Sequence, residues 1–201
     1  MLDRTKLLGR SLDVAPLLLG SVLTCTTDEG SVSVRITEIE AYHGSDDPGS
    51  HAFRGKTKRN AVMFGEPGHL YTYFTYGMHT CANVVCSPEG TASGLLLRGG
   101  EIIDGLELAR SRRPTAKRDA DLARGPARLT VALGITLADG GADLATSHIR
   151  LELCGGSLPF ATGPRTGLSG PGGGDDFPWR YWLPGEPSVS PYKRHSAKKR
   201  A

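Results

Sequence analysis

The spacing of apolar and polar positions changes several times along the chain. "LDVAPLLLGSVL" (12–23) sets leucines at helical spacing, with Asp13 as N-cap and Pro16 in the first turn, and predicts a helix. "SVSVRITEIEAY" (31–42) alternates and predicts a strand. Val32, Val34 and Ile36 share one face. Continued in phase, Glu38, Glu40 and Tyr42 point the same way. A carboxylate at the end of an apolar face has two readings. Either it emerges at the sheet rim into solvent, or a pocket holds it and controls its charge and hydration.

Residues 43–61, "HGSDDPGSHAFRGKTKRNA", form a long polar loop. A loop of that length inside a compact domain is functional or disordered. "HLYTYFT" (69–75) and "TCANVVC" (80–86) predict two strands joined by "YGMH", whose glycine signals a hairpin. "SGLLLRGG" (93–100) predicts a third, more apolar strand. "DGLELARSRR" (104–113) predicts a helix, with Asp104 and Glu107 in a capping-box pattern and arginines at its end. "RGPARLTVALGI" (124–135) predicts another, started by Pro126 and stopped by Gly134. "HIRLELC" (148–154) reads as a strand, and 163–183 as a glycine-dense loop closed by a short aromatic segment. No internal repeat is present. The pattern predicts an α+β fold: a single domain with a curved, mostly antiparallel sheet flanked by helices.

Composition narrows the class. At 201 residues the chain is one domain, or one domain with tails, and its 27 glycines and 13 prolines imply many turns. A working domain over 1–190 and a basic tail over 191–201 are expected. No apolar run is long enough for a bilayer, and "MLDRTKLLGR" lacks the pattern of a secretory signal. A cytoplasmic protein without a membrane partner is expected, nucleoid-associated in a bacterium. Cys25, Cys81, Cys86 and Cys154 are scattered, and Cys81 and Cys86 have neither a second pair nor histidines at ligand spacing. They read as reduced, mostly buried thiols, and no metal is expected. The formal charge is only +3, but "FRGKTKRN" (53–60) and "YKRHSAKKRA" (192–201) contain no acid. Such runs suit a phosphate backbone. The tail by itself reads as a solvated, frayed end.

The stretch "LYTYFTYGMH" (70–79) holds three of the six tyrosines. In a strand, Tyr71 and Tyr73 share a face, while Tyr76 sits at the turn beside Gly77. Two rings could line a pocket wall and a third project from the tip. A ring wall holds a planar or cationic ligand, and a projecting aromatic can wedge between stacked bases. Aromatics in strands are also ordinary core residues. With Glu40, Tyr42, His51 and the basic loop, the set fits an enzyme that takes a nucleobase out of the DNA stack.

The stretch "ITEIEAYHGSDDPGSHAFRGKTKRNAVMFGEPGHLYTYFTYGMHTCANVV", followed by "LLLRGGE", "GPARL", "GPRTG" and "PWRYW" in order, resembles the alkyladenine (3-methyladenine) DNA glycosylase family. The likeness covers roughly residues 7 to 190, and its specificity lies in many short motifs agreeing in order. It implies that Glu40 is the general base that activates water, with Arg98 a partner of that water and carboxylate. It implies that Tyr42, His51 and Tyr73 form the slot for the flipped base, that Asn83 crowds the amino group of guanine, and that Tyr76 fills the gap left in the duplex. The Thr166 backbone carbonyl would also touch the water. The implied activity is monofunctional: hydrolysis of the N-glycosidic bond of alkylated or deaminated purines (3-methyladenine, 7-methylguanine, hypoxanthine and ethenoadenine) in double-stranded DNA, leaving an abasic site. No cofactor and a monomeric state are expected. The chain departs from the family pattern at Ala127 and Arg128, where Gly-Lys is usual, so the charge is kept but not the compact ammonium.

Two other classes remain open on the residues alone. A non-catalytic nucleic-acid-binding module would use the basic loop and the rings without Glu40. An unrelated enzyme on a similar sheet could act on a free nucleoside.

Overall fold

The computed structural model describes residues 2–75, 77–156 and 158–195. Tyr76, the expected wedge, and tail positions 196–201 lie outside the described residues. Among the described residues, eight strands form one antiparallel sheet, and three α-helices accompany it. No described helix is long and apolar enough to cross a membrane.

The first helix, α1 (Ser11–Leu18), starts earlier than the pattern predicts. Arg10 is its N-cap, without a side-chain bond, and Asp13 sits in the first turn, where its charge suits the helix dipole. Pro16 lies inside the helix rather than in its first turn, where its missing N–H leaves the Leu12 carbonyl without an intrahelical partner. Gly20, at φ +81°, then turns the chain into β1 (Val22–Thr27), a strand that the pattern does not announce. Leu23 and Cys25 of β1 enter the core.

Strand β2 (Gly30–Tyr42) is the spine of the sheet. Along it run β1 and β5 (Gly94–Asp104), and its last third also pairs with β8 (Arg180–Trp182). The order is β3 (Leu70–Thr75), β4 (His79–Val84), β5, β2, β1, β6 (Ile149–Glu152), with β7 (Ala161–Gly163) beside β8. Thus 163–183 is less loop-like than its glycines suggest, because β7 and β8 at its ends join the sheet.

The expected alternation of β2 fails at one point, and the failure matters. The register with β5 shifts between Ile36 and Glu38 and again between Glu38 and Ile39. Before the shift, Val32, Val34 and Ile36 enter the main core; after it, Ile39 and Ala41 do. A bulge adds a residue and reverses which side chains face which side. Glu38, Glu40 and Tyr42 therefore do not share a face with Val32, Val34 and Ile36. They face the other side of the sheet. At the same place the neighbour of β2 changes from β1 to β8, with the Leu183 N–H donating to the Thr37 carbonyl at 3.0 Å. The partner strand allows the crowding only because Gly99 and Gly100 lack side chains: a Cβ on Gly100 would lie 2.4 Å from Val34 Cγ2.

Helix α2 (Leu106–Arg112) is capped by Gly105 in the left-handed region, not by the Asp104–Glu107 box, because Asp104 is the last residue of β5. Helix α3 (Pro126–Leu133) begins on Pro126 and ends on Gly134 at φ +79°, as predicted. Leu18 of α1, Ala109 of α2 and Leu129 of α3 pack with Leu70, Val84, Leu95 and Leu97 in one core. A smaller cluster of Ala52, Met63, Tyr71, Val85 and Ala92 forms apart from it. The described cysteines are free; Cys25, Cys81 and Cys86 are buried, and Cys154 is exposed.

Candidate active site

Strand alternation builds the site. Where Leu70, Ala82, Val84, Leu95, Leu97, Ile39 and Ala41 face the core, the intervening Tyr71, Tyr73, Cys81, Asn83, Leu96, Arg98, Glu40 and Tyr42 line a cavity on the far side. Register aligns them. Glu40 pairs with Leu96, Leu96 with Asn83, and Asn83 with Tyr71, a single row across β2, β5, β4 and β3. At the usual strand spacing that row spans roughly 14 Å. The cavity holds about 240 Å³. Drug-sized ligands usually occupy ~300 Å³ or more, so this space suits one base rather than a whole nucleotide.

Glu40 forms one end. Its side chain is only 1% exposed, so it is not at a solvated rim. The Tyr42 hydroxyl donates to Oε2 at 2.8 Å, the Thr166 N–H donates to Oε1 at 2.6 Å, and Arg98 Nη1 lies 3.4 Å from Oε1. Burial, and secondarily the Glu40 charge, push the Tyr42 phenol well above its usual value, so it stays a donor. Thr166 thus meets Glu40 through its amide N–H.

Rings form the other end. Tyr71 and Tyr73 lie nearly parallel, at 25° with centroids 5.8 Å apart, and the His51 ring stands edge-on to Tyr73 at 4.6 Å. His51 Nδ1 is 3.1 Å from the Tyr71 hydroxyl. Although His51 keeps open surface at the mouth, contact with the rings desolvates it, and this, with Arg59 a lesser cause, holds its pKa below the ordinary value. A neutral imidazole is the result near neutrality. Asn83, almost fully buried, donates from Nδ2 to the Tyr71 carbonyl at 3.2 Å.

Of the residues singled out from the sequence, Glu40, Tyr42, His51, Tyr73, Asn83, Arg98 and Thr166 all border this cavity. Tyr76 is outside the described residues, although its neighbours Phe74 and Met78 are exposed at the hairpin end. Arg128 is exposed, two residues beyond the cavity-lining Pro126. Among the described residues no cluster of three metal-ligating side chains occurs, and no lysine borders the cavity.

The chain matches the model of Methylpurine-DNA glycosylase (MPG) over residues 6–187. It belongs to that family. Relatives named "Putative 3-methyladenine DNA glycosylase" occur in Leifsonia xyli (64% identical, covering 96% of this chain and 93% of the relative), in Streptomyces avermitilis (55%, covering 94% and 90%) and in Nocardia farcinica (52%, covering 89% and 87%). This protein is therefore a DNA glycosylase, an N-glycosyl hydrolase of DNA repair, and DNA is its substrate.

Several residues that hold the glycosylase's site together escape a sequence reading. Glu38 is fully buried. Its Oε1 accepts from Arg180 Nε at 2.6 Å, Arg98 Nε at 3.0 Å and the Ser190 hydroxyl at 2.9 Å, and its Oε2 accepts the Ser190 N–H at 2.6 Å. Arg98 is thereby pinned beside Glu40. A second buried pair, Asp47 with Arg165, is bidentate at 2.6 Å for both bonds. Arg165 also donates to the Ala41 and Gly172 carbonyls and lies 4.5 Å from the centre of the Tyr42 ring. It carries Thr166 to Glu40. The sequence signal for Glu38, Asp47 and Arg165 is weak. Only the company of "TEIEAY", "SDDPGSH" and "GPRTG" marks them, and a buried charge must be paired.

Proposed function

We propose that this glycosylase flips alkylated or deaminated purines out of duplex DNA and cleaves them by a single-carboxylate hydrolysis, leaving an abasic site. One observation carries the reading: the Glu40 carboxylate opens onto a base-sized cavity whose other walls are the rings of Tyr73, His51 and Tyr42.

The chemistry follows from charge. Glu40 accepts a proton from water as the water oxygen attacks C1′ and the C1′–N bond breaks. The bonding electrons leave with the purine. The transition state resembles an oxocarbenium ion, which the Glu40 charge also stabilises. A purine alkylated at N3 or N7 is already cationic and departs as a neutral base, so no second carboxyl group is needed to protonate it. Hypoxanthine is neutral and leaves with the bonding electrons as an anion, which takes up a proton from solvent while Glu40 returns the water's proton to solvent. Arg98 and the Thr166 N–H orient Glu40, and Tyr42 donates to its other oxygen. The tyrosine faces attract a cationic ring, and the neutral His51 does not repel it. Asn83, set on the cavity floor with little freedom, crowds the position where guanine carries its amino group. Tyr76 fills the stack after flipping. Among the described residues no lysine borders the cavity to supply an amine for a Schiff base, which fits a monofunctional enzyme.

Duplexes carrying one 7-methylguanine, ethenoadenine or hypoxanthine test the reading. Free base and abasic sites are expected in equal amounts, without strand scission. Release from a free nucleoside as fast as from duplex would overturn it. So would normal release by Glu40→Gln.

A further inference from the structure

The family match ends at residue 187, and the chain continues. Residues 188–195 are not simply a frayed end. Ser188 is buried, with its hydroxyl 2.8 Å from that of Thr37. The Val189 carbonyl accepts from Arg124 Nε at 2.8 Å. Ser190 makes two bonds to Glu38, and its hydroxyl accepts from Arg98 Nη2 at 3.2 Å. Its carbonyl accepts from Arg180 Nη2 at 2.6 Å. The segment passes so close to β5 that a Cβ on Gly99 would stand 2.7 Å from the Ser188 carbonyl oxygen. Farther on, the Lys193 carbonyl accepts the Gly167 N–H at 2.7 Å. Gly167 borders the cavity and follows Thr166, whose N–H holds Glu40.

The segment therefore reaches the Glu40 carboxylate from two sides. Ser190 acts through Glu38 and Arg98, and Lys193 acts through the Gly167–Thr166 turn. Lys193 and Arg194 are exposed, and neither forms an ion pair with an acid among the described residues. Two exposed cations on a segment whose main chain is bonded to a cavity-lining turn suit the nearest phosphates of the strand that supplies the base.

We propose that residues 188–195 form a strap that couples DNA binding to the geometry of the site. Lys193 and Arg194 take backbone phosphates beside the flipped nucleotide, while the main chain at Lys193 holds the Gly167–Thr166 turn on Glu40. The proposal rests on the reading of the cavity as the base pocket.

Binding is measured on the Glu40→Gln background with a hypoxanthine duplex across a range of salt, with and without Lys193→Ala and Arg194→Ala together. Each phosphate neutralised adds ~0.9 to the salt slope of log K. Removing both cations is expected to flatten the slope by about 1.8 and to weaken binding several-fold at low salt. An unchanged slope and Kd would overturn the phosphate contact. On the Glu40 enzyme, the alanine pair is expected to act through KM. Deleting 192–201 also removes the Lys193 carbonyl, and is expected to lower kcat at least tenfold beyond the alanine pair, at an unchanged melting temperature. Equal kcat for the two variants would overturn the positioning role. Failure of the base-pocket reading shows separately, as normal base release by Glu40→Gln.

Discussion

Glu38 and Glu40 stand two residues apart on the same face of β2, both almost wholly withdrawn from solvent. Their surroundings nevertheless differ. Around Glu38 the oxygens meet two guanidinium groups, a hydroxyl and an amide, and no open space remains for a reacting molecule. Around Glu40 one guanidinium stands at 3.4 Å, one amide and one phenol donate, and the cavity begins. A buried carboxylate enclosed by donors pins its neighbours in place. One that borders an accessible cavity can act on what enters. Burial alone does not separate the two roles; the unfilled side does.

Substituting the pair tests that distinction. The largest effect on chemistry is expected from Glu40→Gln, which keeps the shape and removes the base. Single-turnover base release should fall about 10²- to 10⁴-fold, with lesion-duplex Kd within a few-fold. Glu38→Gln should act first on stability. It leaves Arg98 and Arg180 short of a buried partner, a loss of about 3–5 kcal/mol in a denaturant titration. Equal stability of the two variants would erase the difference between the two carboxylates.

Tyr42→Phe sharpens it further. The ring and its stacking with Arg165 remain, but one donor to Glu40 is lost. A hydrogen bond to a charged group contributes roughly 1.5–3 kcal/mol, so base release should drop about 10- to 150-fold, with no change in the salt slope of binding. The smallest effect belongs to His51. Its folded pKa lies below the ordinary value, so the folded state favours the neutral ring. Its contribution to stability is present above about pH 6.5 and is lost as pH falls through that value towards the lower, folded one. The protonated ring would also repel a cationic purine. Release of 7-methylguanine should therefore decline on the acid side, and His51→Gln should flatten that limb of the profile.

Much of the site is legible in the sequence because it is local. The pair "EAY" puts Glu40 and Tyr42 on one face of any strand, and the hairpin does the same for Tyr71 and Tyr73. The phase of β2 is not legible, for an equally physical reason. Apolar Val32, Val34 and Ile36 and polar Glu38, Glu40 and Tyr42 occupy the same parity, and nothing in a six-residue pattern reveals a bulge between them. The bulge depends on what lies across the strand, where Gly99 and Gly100 permit the close approach. The Asp104–Glu107 capping box fails likewise, since β5 runs on through Asp104.

The chain itself determined the chemical groups, the hairpin that carries the rings, and the Pro126 and Gly134 limits of α3, because propensity and alternation act between near neighbours. The tertiary structure alone decided that Glu40 faces the rings, that Leu96 and Asn83 bridge them in one row, and that Glu38, Asp47, Arg165 and Ser190 brace the site. Those meetings join positions as much as 152 residues apart. They depend on strand register and on the closing of long loops, and local sequence encodes neither.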